Sequence, residues 1–204
     1  MSTRTLAVVS AGLSVPSSTR LLADRLAGAG VGALGQRGVD ATVAVVELRG
    51  HARDLADNLV TGFANAGLRA AVDTVVRADG LIAVTPIFAA SYSGLFKSFF
   101  DVLDKDALAG KPVLMGATAG TARHSLALDH ALRPLFAYLR AVAVPTAVFA
   151  ASADWAGGDG TTEALARRID RAAGELAELV ARQPAAKPVD PFDDPTPFAD
   201  LLPG

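Results

Sequence analysis

Residues 5–26 read TLAVVSAGLSVPSSTRLLADRL, an apolar run from Thr5 to Ser10, a loop crowded with hydroxyls, and a segment of helical spacing that begins near Ser18. A short apolar run without alternation reads as a strand covered on both faces, as in a parallel sheet. The same kind of run recurs at Thr42–Leu48, Gly80–Pro86, Pro112–Thr118 and Val142–Ala150, and helical patterns fall between these runs. Those helices are expected at Ser18–Gly28, Ala66–Ala78, Ser93–Leu103, Arg123–Arg140 and Thr161–Arg182. Strands alternating with helices, joined by right-handed crossovers, predict an α/β three-layer sandwich with a five-stranded parallel sheet of order 2-1-3-4-5. In that order a ligand crevice opens beyond the carboxyl ends of strands 1, 3 and 4.

Composition narrows the function classes. The net charge is −2 and the cations are dispersed, so no basic stripe offers a nucleic-acid footprint. Cysteine is absent, which excludes thiolate catalysis, disulfides and Cys-ligated metal. The N-terminal apolar run is too short for a secretory core or a membrane span, so a cytoplasmic location is expected, with no membrane partner. Residues 1–183 read as one domain and residues 184–204 as a tail rich in Pro and Asp. That tail is either disordered or anchored through Phe192, Phe198, Leu201 and Leu202.

The three strand ends at the crevice carry the chemistry. The first loop is neither G-x-G-x-x-G nor GK[ST], but it gathers Ser10, Ser14, Ser17, Ser18 and Thr19 before a helix start. Hydroxyls, backbone N–H groups and the positive helix end suit one phosphate monoester. Ser17 or Ser18 alone would also serve as an ordinary N-cap. The second loop, from Thr85, places Pro86, Ile87 and Phe88 at the crevice mouth, where apolar side chains suit a flat ring. The helix after it carries Phe96, Phe99, Phe100 and Leu103 at core or interface spacing, with Lys97 and Asp101 placed for a surface ion pair. In the third loop Thr118, Ala119, Gly120 and Thr121 let the backbone approach a ligand closely. His124 and His130 are too far apart in register to share a helix face, so no metal site is expected, and Pro134 should kink the fourth helix.

Three stretches together, Ser10 with PSSTRLLA, TPIFAASYSGLFKSFFDVLD, and GKPVLMGATAGTARHSLALDHALRPLF, resemble the NAD(P)H-dependent FMN reductases of flavodoxin-like fold. The resemblance runs from about Thr5 to Leu179 and is greatest to the branch that supplies reduced FMN to separate luciferase-like or sulfonate monooxygenases. It implies FMN and NADPH or NADH as cofactors, a homodimer or homotetramer, and a flavin-dependent monooxygenase as receiving partner. Carried over by position, the phosphate loop falls on Ser10, Ser17, Ser18 and Thr19. The ring-contacting segments fall on Thr85, Pro86, Ile87 and Phe88 and on Thr118, Ala119, Gly120 and Thr121. The aromatic helix Ser93–Leu103 is the expected dimer contact.

The chain also departs from its relatives. Many have an Arg near positions 13–15, and Leu13, Ser14 and Val15 stand there instead, which implies a loosely held flavin. Some have an inserted Tyr with a π-bulge in the fourth helix; His130 occupies that point, so the bulge is not carried over. Hydride transfer between nicotinamide and flavin needs orientation and water exclusion more than acid–base side chains, and none is assigned as catalytic. N–H groups near Gly120 and Thr121 are placed to meet negative charge on the reduced ring. Arg123 either adds to that charge, meets the NADPH 2′-phosphate, or is simply solvated. An FMN-retaining quinone or azo reductase and a non-catalytic flavin carrier are the alternative functions.

Overall fold

The structure, a computed structural model, describes residues 3–156 and 161–183. Its elements in chain order are β1 Arg4–Ser10, α1 Ser18–Gly35, β2 Ala41–Glu47, α2 Ala52–Thr61, α3 Ala66–Arg77, β3 Gly80–Phe88, β4 Ser91–Tyr92 and α4 Gly94–Asp101. Then come β5 Pro112–Ala119, α5 Arg133–Tyr138, β6 Val142–Ala143, β7 Val148–Ala151, α6 Ala153–Ala156 and α7 Thr161–Arg182. The tail beyond residue 183, with Phe192 and Phe198, lies outside the described residues.

The parallel order β2-β1-β3-β5, with β6 and β7 on the far side of β5, is the order expected from the sequence. The strand count differs in two places. The fifth run divides into β6 and β7 on either side of Pro145, which has no N–H for the ladder. The third strand runs on to Phe88 and folds back as a hairpin, with Ile87 opposite Tyr92 and Phe88 opposite Ser91. Seven strand segments therefore replace five.

Alternation along the buried strands builds two cores. Ala7, Val9, Leu81, Ala83, Val113 and Met115 face one side, under α3, α4 and α5. Leu6, Val8, Ile82, Val84 and Leu114 face the other, under α1 and α7. The edge strand β2 departs from the expectation of full cover, because Val43 and Val45 are about two-fifths exposed.

Phe96, Phe99, Phe100 and Phe136 are almost fully buried within the chain. Phe96 and Phe100 lie 4.7 Å apart between centroids, and Phe136 meets Phe100 edge-on at 5.1 Å. The aromatic face of α4 is thus spent on the chain's own core, one of the two readings its spacing allowed. Lys97 does pair with Asp101, at 2.7 Å.

Two helical expectations change. A helix at Ala52–Thr61 was not expected from the sequence; it buries only Leu55, so its apolar signal is thin. The segment expected as one helix from Arg123 to Arg140 is broken into a 3₁₀ turn at Ala122–His124, a π turn at Leu128–Leu132 and then α5. The Arg133 N–H donates to Leu128 O, the wide i→i−5 bond, immediately before Pro134. The π turn is present although His130, exposed on it, stands where relatives have Tyr.

At the sheet edge remote from the crevice, Arg4 and Asp79 form a nearly buried ion pair, 2.9 Å apart. Asp79 also accepts the Thr5 N–H at 2.8 Å, and Arg4 reaches the Gln183 carbonyl, which ties β1, β3 and the end of α7 together. Removing one partner strands a buried charge. Asp79→Ala is expected to cost about 3–5 kcal/mol, read as a fall of roughly 10 °C in Tm.

The hairpin tip behaves in the opposite sense. Ala89 and Ala90 have φ of 47° and 66°, the left-handed pair required by a two-residue primed turn and disfavoured by any Cβ. Replacing Ala89-Ala90 by Asn-Gly is expected to raise stability by about 1 kcal/mol, a gain of roughly 2–4 °C in a thermal melt.

Candidate functional site

The order β1-β3-β5 brings three loops to one edge of the sheet, where they enclose a crevice of about 360 Å³. Its first wall is the loop after β1. That loop closes tightly on itself: a Cβ on Gly12 would lie 2.1 Å from Ser17 Oγ, so only glycine fits. The closure sets Ser17 as the N-cap of α1, its hydroxyl accepting from the Arg20 N–H at 3.2 Å. Ser17 satisfies that donor alone. Ser18 and Thr19, in the same first turn, line the crevice; their N–H groups have no acceptor within the helix, and Ser18 is exposed.

The second wall is Pro86, Ile87 and Phe88, held by the hairpin. Phe88 is about half exposed and stands at the mouth, while Ile87 is buried beneath it. The third wall is Thr118, Ala119 and Gly120 at the end of β5. A Cβ at Gly120 would meet no protein atom within 4 Å, so the backbone is open to a ligand there. The N–H groups of Gly120 and Thr121 make no backbone hydrogen bond among the described residues.

Nine of the twelve residues expected from the sequence line this crevice: Ser17, Ser18 and Thr19, Pro86, Ile87 and Phe88, Thr118, Ala119 and Gly120. Three do not. Ser10 opens on a separate groove on the other side of the first loop, shared with Arg20, Glu47 and Arg49. Thr85 is fully buried, and its hydroxyl is consumed in donating to Pro86 O at 2.9 Å and accepting the Ser93 N–H at 3.0 Å. Ser93 in turn caps α4, so Thr85 aims the second loop without touching a ligand. Thr121 is exposed and caps the 3₁₀ turn, accepting from the Arg123 N–H at 3.3 Å. Arg123 is likewise not part of the lining.

Ser14, read among the first-loop hydroxyls, also lines the crevice, and three lining residues lay outside the sequence expectation: Leu13, Ser152 and Trp155. The last two come from the turn after β7, a fourth strand end. Asp154 fixes that turn by accepting the Ala151 N–H at 2.7 Å and pairing with Arg168 at 3.2 Å. Trp155, the chain's single Trp, stands against α1 with the Arg25 guanidinium 4.9 Å from its ring centroid. Its uniqueness was the available signal, and neighbouring Asp154 the cue to a structured turn.

The electrostatics are unusual for a phosphate site. No charged side chain lines the crevice among the described residues. The nearest cation on α1, Arg20, is turned into the neighbouring groove, where it bonds Asp24 at 2.8 Å and also Glu47. Those two carboxylates hold its pKa above the usual guanidinium value, chiefly through the Asp24 hydrogen bond. An anion in the crevice is therefore met by neutral donors and the helix end alone. The donor set fits the phosphate of FMN, and the flat apolar walls of Ile87, Phe88 and Trp155 fit its ring. Among the described residues there is no cluster of three or more His, Asp or Glu that could hold a metal ion, and no helix is long and apolar enough to cross a membrane.

Comparison with known proteins agrees with this chemistry. Among solved structures, an oxidoreductase from Corynebacterium diphtheriae superposes with a TM-score of 0.86 at 50% identity, covering 89% of this chain and 99% of that one. The apo form of the NADH:FMN oxidoreductase EMOB gives 0.71 at 32% identity, covering 84% and 89%. An FMN reductase (NADPH) from Pseudomonas aeruginosa is 40% identical over 84% of this chain and 89% of its own length. An NADH-dependent FMN reductase, SfnF, from Pseudomonas fluorescens is 42% identical over 66% of this chain and 72% of its own. The family model for NADPH-dependent FMN reductase matches residues 4–156, the span that holds all three walls and the fourth strand end, and the chain belongs to that family.

Proposed function

We propose that the chain is an NAD(P)H:FMN oxidoreductase that takes free FMN into this crevice and releases it reduced, for use by a separate flavin-dependent monooxygenase. The observation that carries the reading is a crevice that joins a helix start to apolar walls yet is lined by no charged side chain among the described residues. Neutral donors at a helix start hold a phosphate less tightly than a guanidinium clamp does, which suits a flavin that must leave.

When bound, the flavin and nicotinamide supply the hydride chemistry themselves. The chain's part is placement. The Ser18 and Thr19 N–H groups and the Ser18 hydroxyl hold the phosphate, while Ile87, Phe88 and Trp155 confine the ring and keep water from it. Gly120, with no side chain, lets the third loop approach, and the unpaired N–H groups of Gly120 and Thr121 meet negative charge as it develops on the ring. This work needs no titrating side chain in the crevice, and none lines it. Both NADPH- and NADH-named relatives match the chain, so the nicotinamide is left as either. A homodimer or homotetramer and a cytoplasmic location belong to the same reading.

The direct test is NAD(P)H oxidation by protein dialysed to remove flavin, with and without added FMN. Activity that saturates with FMN and is nearly absent without it is expected. Yellow protein that keeps its flavin and turns over only with a quinone or azo dye would replace this reading with a flavin-retaining reductase. The phosphate assignment has its own test in Ser18→Asp, which adds a carboxylate at the positive end of α1. That change is expected to leave Tm unchanged or slightly higher. It is expected to weaken FMN binding about tenfold or more and riboflavin binding less than twofold, measured by quenching of flavin fluorescence.

A further inference from the structure

Thr19 in the first turn of α1 and Thr118 near the end of β5 are both buried, at 2% and 3% exposure, with their Oγ1 atoms 2.8 Å apart. This hydroxyl pair joins the first loop to the third across 99 residues of sequence. A Thr hydroxyl donates one proton and can accept two. A pair that shares one hydrogen bond therefore has one proton left over, and the direction of the shared bond decides which residue keeps it. Neither hydroxyl makes another hydrogen bond among the described residues, and both residues line the crevice. The spare proton has no partner among the described residues, and the crevice is the space beside it.

An anion at the start of α1 draws the Thr19 proton to itself. Thr19 must then accept from Thr118, and Thr118 turns only lone pairs toward the third wall. With no anion at α1 the opposite direction is equally open: Thr19 donates to Thr118, and Thr118 keeps a proton for an acceptor on a ring. We propose that the Thr19–Thr118 pair is a positioning relay that carries phosphate occupancy at α1 to the ring-facing loop, and so sets the preference for phosphorylated over unphosphorylated flavin. The proposal rests on the phosphate site assigned above. It has a consequence that proximity alone does not: Thr118, on the wall assigned to the ring, matters for recognition of the phosphate.

The test is equilibrium binding of FMN and of riboflavin, followed by flavin fluorescence, to wild type, Thr19→Val, Thr118→Val, Thr118→Ser and the double Val variant, with a thermal melt of each. Thr19→Val is expected to lose the preference for FMN about tenfold, whereas Thr118→Val, which removes a ring donor that only unphosphorylated flavin can use, is expected to raise it. The double variant is expected to show the preference of Thr19→Val alone, because without Thr19 the Thr118 proton no longer depends on the phosphate. Thr118→Ser, which retains the hydroxyl, is expected to keep the wild-type preference. Equal weakening of FMN and riboflavin by Thr118→Val would overturn the relay and leave a plain ring contact. A change of preference by Thr118→Val that persists in the Thr19→Val background would also overturn it, as two independent contacts. If wild type itself binds the two flavins equally, the phosphate assignment fails and the relay with it, a result distinguished by needing no variant. Ala at the same position replaces any Val that does not fold, and its outcomes are read in the same way.

Discussion

Parallel pairing of β1 with β3 and of β3 with β5 is the constraint on which the rest of the molecule depends. Parallel neighbours cannot be joined by a tight turn, so β1, β2, β3 and β5 are linked by crossovers, and their carboxyl ends emerge at the same edge. Three loops from distant parts of the chain are thereby brought together. Residues 10–19, 85–93 and 116–121 meet because the hydrophobic faces of their strands are buried, between Leu22 and Leu26 of α1 on one side and the Phe96–Phe100–Phe136 cluster on the other. The site is a by-product of the core.

Once the loops are together, short polar contacts set their shape. Gly12 lets Ser17 fold back and begin α1, Thr85 and Ser93 aim the second loop, and Asp154 holds the turn that carries Trp155. Each uses a hydroxyl or carboxylate that a sequence reading would assign to a ligand. Buried polar atoms must find partners, and those at a loop root find the protein first. That is why Thr85 serves the scaffold while adjacent Pro86 faces the crevice; exposed Thr121 is taken up instead in capping the 3₁₀ turn.

The absence of charged side chains from the crevice lining among the described residues also follows from local pairing. Arg20 is close enough in sequence to the phosphate loop to have been its clamp, but Asp24 one turn along and Glu47 at the end of β2 hold it on the far side. A flavin reductase of this family that exchanges its flavin gains from that arrangement. In the proposed reading, the helix end directs the phosphate without the desolvated ion pair that would slow release.

Much of this was legible in the linear chain. Apolar runs of strand length separated by helical spacing decided the α/β class and the sheet order, because a parallel sheet needs both faces covered and leaves that signature in composition. The hydroxyl-rich start of α1 and the small residues after β5 were legible for the same reason: backbone approach and helix-end donors demand particular residue types at particular places. Tertiary structure alone decided the direction of each side chain. It turned Ser10 and Arg20 into a neighbouring groove, set Thr19 against Thr118, sank the α4 phenylalanines into the core, and brought Trp155 in from a fourth strand end. Spacing along one strand or helix says which residues share a face, whereas contacts between residues 19 and 118, or 25 and 155, depend on how whole layers settle against each other. No local pattern encodes that distance.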